Sequence, residues 1–120
     1  MEQLIFVYNA DSGLANSLLD YGKKYIYPDN YDCKLCMVSY GAFGMKNEWR
    51  YFVSGLPLSV RFMHRDELQK EFPRVKVSLP ALIHQSQDSY TVLLDSHDFQ
   101  RITSLDDLKK AVKTKTAELS

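Results

Sequence analysis

Leu4-Ile5-Phe6-Val7-Tyr8 is the stretch of sequence that decides the fold of this chain. All five residues are apolar or aromatic, and two of them are β-branched. A continuous run of this kind predicts a β-strand that is buried on both faces, as is common in α/β proteins. The residues that follow, Asn9-Ala10-Asp11-Ser12-Gly13, break the run and offer a cap for a helix.

The rest of the chain predicts three further strands with helices between them. The strands are expected at residues 59–63, 81–85 and 90–94, the last two forming a hairpin around residues 86–89. Helices are expected at residues 14–25, from Cys33, from about residue 45 to Gly55, at 65–72, and from Ser104. This alternation indicates an α/β domain with a central, mixed four-stranded sheet flanked by helices. At 120 residues, we expect one domain over residues 1–120.

Composition and charge exclude several classes of partner. Fifteen basic residues balance fifteen acidic ones, so the chain lacks the basic footprint of a nucleic-acid-binding protein. The same balance gives no reason to expect an anionic membrane surface as a partner. The N-terminus has neither the basic region nor the cleavage site of a signal peptide, and no apolar stretch approaches the ~20 residues of a membrane helix. We therefore expect a cytoplasmic protein.

Cys33 and Cys36 are the only two cysteines, and they stand three positions apart. In the cytoplasm a close pair of this kind indicates redox chemistry, a metal site, or reduced residues that pack as small apolar groups. For redox chemistry, Asp32 would cap a helix that opens at Cys33, and the helix N-terminus would stabilise the thiolate. Cys33 would then be the attacking thiol and Cys36 the resolving thiol. No cofactor is expected.

The metal alternative finds few further ligands in the sequence. Structural zinc takes four ligands, usually two cysteine pairs or one pair and two histidines. This chain has one pair and three scattered histidines, at positions 64, 84 and 97, without the usual spacing. No metal-ligand set is therefore assigned, and the metal alternative for the cysteine pair stays open. Ser12 follows the first strand, where ligands commonly bind in open α/β sheets, and is a candidate substrate-binding residue.

The order of elements resembles the thioredoxin-like fold, most closely in the segment Val77-Ser78-Leu79-Pro80-Ala81-Leu82-Ile83. In that family a cis-proline precedes the hairpin strand, faces the active-site cysteines and helps to seat an extended peptide. The resemblance implies that Pro80 is this cis-proline and that Leu79 and Pro80 bind substrate. It further implies a thiol–disulfide oxidoreductase or a thiol redox sensor whose partner is a protein thiol or disulfide.

The position of the cysteines departs from the family pattern. Thioredoxin-like proteins carry Cys-x-x-Cys directly after the first strand, whereas here that place holds Asp11-Ser12-Gly13 and the cysteines follow about twenty residues later. The chain also resembles small bacterial proteins with the same Asp-Ser-Gly-Leu, Cys-x-x-Cys and Gly-Met-Lys-x-Glu-Trp landmarks, a likeness that implies no activity. We therefore predict a helical insertion that carries the cysteines. The competing hypothesis is a non-enzymatic protein-interaction module of the same fold.

Overall fold

A computed structural model describes residues 2–9, 34–41, 44–87 and 89–117 of the chain. Its strands are β1 Glu2–Val7, β2 Tyr40–Gly41, β3 Gly44–Met45, β4 Ser59–Met63, β5 Ala81–Ser86 and β6 Ser89–Leu94. Its helices are α1 Lys34–Ser39, α2 Asn47–Ser54, α3 Arg65–Glu71, α4 Ser96–Gln100 and α5 Leu105–Ala117. No helix in these ranges is long and apolar enough to cross a bilayer.

The four longer strands form one mixed sheet in the order β4-β1-β5-β6. β1 is central: it pairs parallel with β4 through Ile5 and Arg61, and antiparallel with β5 through Ile5 and Ile83. β5 and β6 form an antiparallel hairpin that opens from the pair Ser86 and Ser89. The predicted mixed four-stranded sheet flanked by helices is confirmed.

The alternation of side chains along β1 supplies a core on each face of the sheet. Leu4, Phe6 and Tyr8 point to one face, where α1, α2, α4 and α5 pack, and Ile5 and Val7 point to the other, where α3 packs. All five are at most 2% exposed. Helices thus cover both faces of this strand, which explains why its apolar run is uninterrupted.

Trp49 of α2 is the largest side chain in the core cluster that also contains Leu4, Phe6 and Tyr8. It is fully buried, meets the Phe6 ring edge-on at 5.3 Å between centroids, and stacks on Phe52 at 5.6 Å. Aromatic pairs favour these offset and edge-to-face geometries. The helix ends at Gly55, as predicted, and the Gly55 N–H donates to the Phe52 carbonyl.

Three elements of the structure, β2, β3 and α4, are absent from the sequence-based prediction. β2 and β3 form a two-residue antiparallel ladder that pairs Tyr40 with Met45 and Gly41 with Gly44. α4, of five residues, follows β6. The helix predicted at residues 14–25 lies outside the described residues.

Asp95 begins α4 as its N-cap, and we expect its replacement to destabilise the fold. Its carboxylate accepts hydrogen bonds from the backbone N–H groups of His97 and Asp98, at 3.0 and 3.2 Å. These bonds hold the pKa of Asp95 below its ordinary value, and the bond from the Asp98 N–H has the largest effect. The Asp95→Ala variant should lose about 1 kcal/mol of unfolding free energy at neutral pH, measured by urea denaturation.

The same cap makes part of the stability depend on pH. Because the pKa of Asp95 is lower in the folded state, its contribution is present above the unfolded pKa and is lost as pH falls through the folded pKa. The difference between wild type and Asp95→Ala should therefore shrink in acid. Asp95→Asn keeps a capping oxygen without this titration and is the matched control. A difference that stays constant in acid would contradict the assignment.

Candidate functional site

Three residues lie at the end of the sheet where β1 and β4 end and β5 begins. β1 and β4 are parallel and in register to their last residues, so Tyr8 and His64 follow them at the same end of the sheet. Val7 also pairs with Ala81, the first residue of β5, which places Pro80 at that end. The carboxyl ends of parallel strands are the usual ligand site of open α/β sheets. Tyr8, His64 and Pro80 are called the strand-end cluster below.

Backbone and side-chain contacts fix His64 within this cluster. The backbone N–H of Tyr8 donates to the Met63 carbonyl at 2.8 Å, and the Tyr8 and His64 ring centroids are 5.4 Å apart. Glu67 Oε1 lies 2.8 Å from His64 Nδ1 and accepts the backbone N–H of His64 at 2.7 Å. The imidazole is thus held between an aromatic ring and a carboxylate, an arrangement that can hold or pass a proton.

The segment before β5 agrees with the expectation drawn from the resemblance. The Leu79–Pro80 peptide bond is cis, as predicted. Pro80 is buried, and Leu79 is half-buried against the core on the α3 face. Ser78 lies just before Leu79 in the chain, and its Oγ accepts a hydrogen bond from Ser96 Oγ of α4 at 2.8 Å. This bond ties the entry to β5 to the start of the helix after β6.

A cleft of about 420 Å³ opens beside Leu79. Arg65 and Lys76 contribute positive charge to its wall, and Arg65 Nη1 lies 3.5 Å from Asn9 Oδ1. Its remaining lining residues are Leu68, Gln69, Pro73, Val75 and Val77. The cleft therefore joins an apolar wall to two cationic side chains next to the cis-proline segment.

Of the predicted cysteine site, the structure describes one helix, α1, which contains Cys36. Cys36 lies in the first turn of α1, where a helix was predicted. The neighbouring Leu35 and Val38 are buried in the same core cluster as Tyr8, so α1 packs on the face of the sheet to which Tyr8 points. Cys33, Ser12 and the side chain of Cys36 lie outside the described residues. Of the predicted site residues, the structure thus describes Leu79 and Pro80, which are neighbours in the chain, and the backbone of Cys36.

The histidines were weighed as metal ligands, and two of them have carboxylate partners. His64 Nδ1 contacts Glu67 and His84 Nε2 contacts Glu2, each at 2.8 Å. Within the described ranges, no three His, Cys, Asp or Glu side chains come together in a way that could hold a metal ion. Neither cysteine side chain belongs to those ranges, so any metal site on the pair would draw on residues beyond them.

Sequence reasoning omitted Tyr8 and His64 from the site. The available signal was their position, because each is the first residue after one of two adjacent strands. Using that signal required the parallel pairing of β1 with β4, which brings two positions far apart in the chain to the same end of the sheet.

Comparisons with protein-family models, curated proteins and solved structures give no match for this chain.

Proposed function

We propose that this chain is a cytoplasmic thioredoxin-like domain whose Cys33 and Cys36 exchange a disulfide with a partner protein or sense its redox state. The observation that carries the proposal is the topology: a parallel β1–β4 pair extended by the antiparallel β5–β6 hairpin, with helices on both faces. This agrees with the element order on which the resemblance rests. The cleft beside Leu79, on the α3 face of the sheet, supplies a place for an extended peptide.

The chemistry needs no group beyond the two cysteines and a disulfide in the partner. The Cys33 thiolate attacks one sulfur of the partner disulfide, forming a mixed disulfide and releasing the other partner sulfur as a thiolate. The Cys36 thiolate then attacks the Cys33 sulfur and displaces the second partner thiolate. The partner gains two electrons and becomes a dithiol after taking up protons, while Cys33 and Cys36 become a disulfide. The reverse sequence oxidises a partner dithiol.

His64 is the titratable side chain of the strand-end cluster that suits proton transfer in this scheme. Exchange proceeds through thiolates, so a group that accepts or returns a proton near the reacting sulfurs assists it. Glu67 orients the imidazole through Nδ1, which leaves Nε2 as the nitrogen that is free of this contact.

A redox titration tests the proposal. The wild-type chain is equilibrated in glutathione buffers of graded potential, alkylated, and weighed by mass spectrometry to measure the Cys33–Cys36 disulfide. We expect a two-electron transition with a midpoint between roughly −120 and −270 mV, the range of working oxidoreductases. The Cys33→Ser/Cys36→Ser variant is the control for alkylation background. If no intramolecular disulfide forms at any potential, the redox function is wrong and an interaction module or a metal site becomes the better hypothesis.

A further inference from the structure

A groove of about 340 Å³ lies on the α3 face of the sheet, between α3 and the β5–β6 hairpin. Its floor consists of Ile5 and Ile83, which pair across β1 and β5 and are each 1% exposed. Leu68 and Phe72 add apolar surface from α3 and its C-cap, and Tyr90 adds a ring from β6. Apolar clefts of this size with a few polar groups are typical of small-molecule sites. The groove can therefore accommodate a small ligand with an apolar body.

Hydrogen bonds hold the walls of the groove in place. The Tyr90 hydroxyl donates to the Arg74 carbonyl at 3.1 Å and so joins the hairpin to the turn that follows α3. Two backbone bonds fix that turn, from Phe72 N–H to the Leu68 carbonyl at 2.8 Å and from Val75 N–H to the Phe72 carbonyl at 3.0 Å. Arg74 thus lines the groove from a fixed backbone. A preformed site of this kind loses little free energy to ordering when a ligand binds.

The lining of the groove includes one acidic and one basic side chain, and only the acidic one is paired. Arg61 of β4 donates through both guanidinium nitrogens to the Glu71 carboxylate at 2.5 Å, and this bond lowers the pKa of Glu71. The Arg74 guanidinium has no hydrogen bond or ion pair with the part of the chain that the structure describes. Because Arg61 offsets the charge of Glu71, the groove keeps an uncompensated positive charge at Arg74, which favours an anionic ligand.

Gln85 adds a neutral hydrogen-bond donor to the same lining. It is the cross-strand neighbour of Tyr90, and its Oε1 accepts a hydrogen bond from the Gln3 side chain. This bond orients the amide and leaves Gln85 Nε2 as a donor that no other contact among the described residues uses. Carboxylate oxygens accept hydrogen bonds from both amide and guanidinium donors. A carboxylate therefore matches the polar groups of the groove.

We propose that this groove binds a small aromatic carboxylate, with its carboxylate on Arg74 and its ring on the floor of Ile5 and Ile83. Arginine is well suited to this role, because its planar guanidinium can donate two parallel bonds to one carboxylate. The ligand ring meets two aromatic side chains of the lining, Phe72 and Tyr90, and aromatic pairs contribute beyond the apolar area that they bury. A cationic ligand is disfavoured, because the carboxylate in the lining is already paired with a guanidinium.

The groove is separate from the proposed redox site. It extends toward the hairpin turn, at Gln87 and Ser89, whereas Pro80 lies at the other end of β5. The helix α1, which contains Cys36, packs on the opposite face of the sheet. The Cys33→Ser/Cys36→Ser variant should therefore bind the carboxylate as tightly as wild type does. Failure of disulfide exchange would leave this expectation in place, and failure of ligand binding would leave the redox proposal in place.

A titration of the isotope-labelled full chain with phenylacetate, followed by heteronuclear NMR, tests the site. We expect saturable shifts of the backbone amide signals of Arg74, Gln85 and Tyr90, with a dissociation constant of about 1 mM or tighter. Phenylacetamide has the same ring and nearly the same shape without the charge, and it is the matched control ligand. It should bind at least about fivefold more weakly, because its hydrogen bonds to the guanidinium are not charge-assisted at both ends.

A pair of arginine variants separates Arg74 from the general charge of the chain. Arg74→Gln should weaken phenylacetate binding at least about fivefold and remove the preference for the acid over its amide. Arg101→Gln replaces an exposed arginine at the end of α4, outside the groove, and as the matched control should change neither. The amide spectrum of each variant shows whether it is folded.

Three results would overturn the proposal. The first is the absence of saturable shifts at up to about 10 mM phenylacetate, where a site of 1 mM affinity is mostly occupied. Occupation of the groove by another segment of the chain would give this result. The second is equal binding of phenylacetate and phenylacetamide by wild type. The third is an equal loss of affinity in Arg74→Gln and Arg101→Gln.

Discussion

The Cys33→Ser variant should lose disulfide exchange completely, while Cys36→Ser should still attack a disulfide and then stall as a mixed disulfide. The reason is a division of roles along α1. Cys36 lies in the first turn of this helix, and Cys33 is predicted from the sequence to open it. A thiol at the amide end of a helix is the better nucleophile, because the helix favours its thiolate. Without Cys36, no second thiol displaces the bound partner.

The measurement is a reaction with a disulfide-containing peptide, followed by acid quenching and intact mass spectrometry. Cys36→Ser should gain the mass of one half of the peptide, and a reductant should remove it. Cys33→Ser should show no adduct on the timescale at which wild type turns over. Far-ultraviolet circular dichroism of both variants checks that they are folded. Equal residual exchange in the two variants would contradict the assignment of roles, although the pair could still be redox-active.

The largest loss of stability is expected for Trp49→Ala. Trp49 is fully buried between Phe6 of the sheet and Phe52 of its own helix. Truncation removes its apolar contacts and leaves a cavity that neighbours on the rigid sheet cannot fill. Changes of this kind cost about 3–5 kcal/mol, a large share of the stability of a small domain.

Urea unfolding followed by circular dichroism measures this loss, since the variant no longer has the chain's single tryptophan. Tyr51→Ala is the matched control, because Tyr51 lies on the same helix and is 80% exposed. Its effect should stay within about 0.5 kcal/mol. A loss below about 1 kcal/mol for Trp49→Ala would show that α2 does not pack on the sheet as described.

Much of the fold could be predicted because apolar patterns in this chain match the period of the element that they form. The Leu4–Tyr8 run predicted a strand covered on both faces, and all five residues are buried. The predicted strand at residues 59–63 has the bounds of β4. The final helix was expected to begin at Ser104, and Ser104 Oγ accepts the N–H of Asp107 at 3.1 Å.

The elements that sequence reasoning missed are short, and polar or backbone contacts determine them. α4 buries Phe99 and otherwise depends on the reciprocal bonds between Asp95 and Asp98, where the Asp98 carboxylate also accepts the N–H of Asp95 at 3.0 Å. Five residues are too few to show a helical period. The β2–β3 ladder is shorter still and includes two glycines, which lack side chains that could show alternation.

The candidate site was only partly predictable, because it depends on contacts between distant parts of the chain. Pro80 could be assigned from a local motif, and its cis peptide bond is confirmed. Tyr8 and His64 come together only through the pairing of β1 with β4, which no local pattern specifies. The reactivity of Cys33 and Cys36 stays a prediction.

The central position of β1 has a consequence for synthesis of the chain on the ribosome. Of the described strands it is made first, yet its two partners, β4 and β5, emerge only much later. Until residue 86 has left the exit tunnel, the nascent chain carries an apolar segment at residues 4–8 with at least one unpaired edge. Such segments are prone to aggregate before their partner strands are available for pairing. Chaperone contact with the unfinished chain should therefore concentrate on β1 and decline once the β5–β6 hairpin is complete.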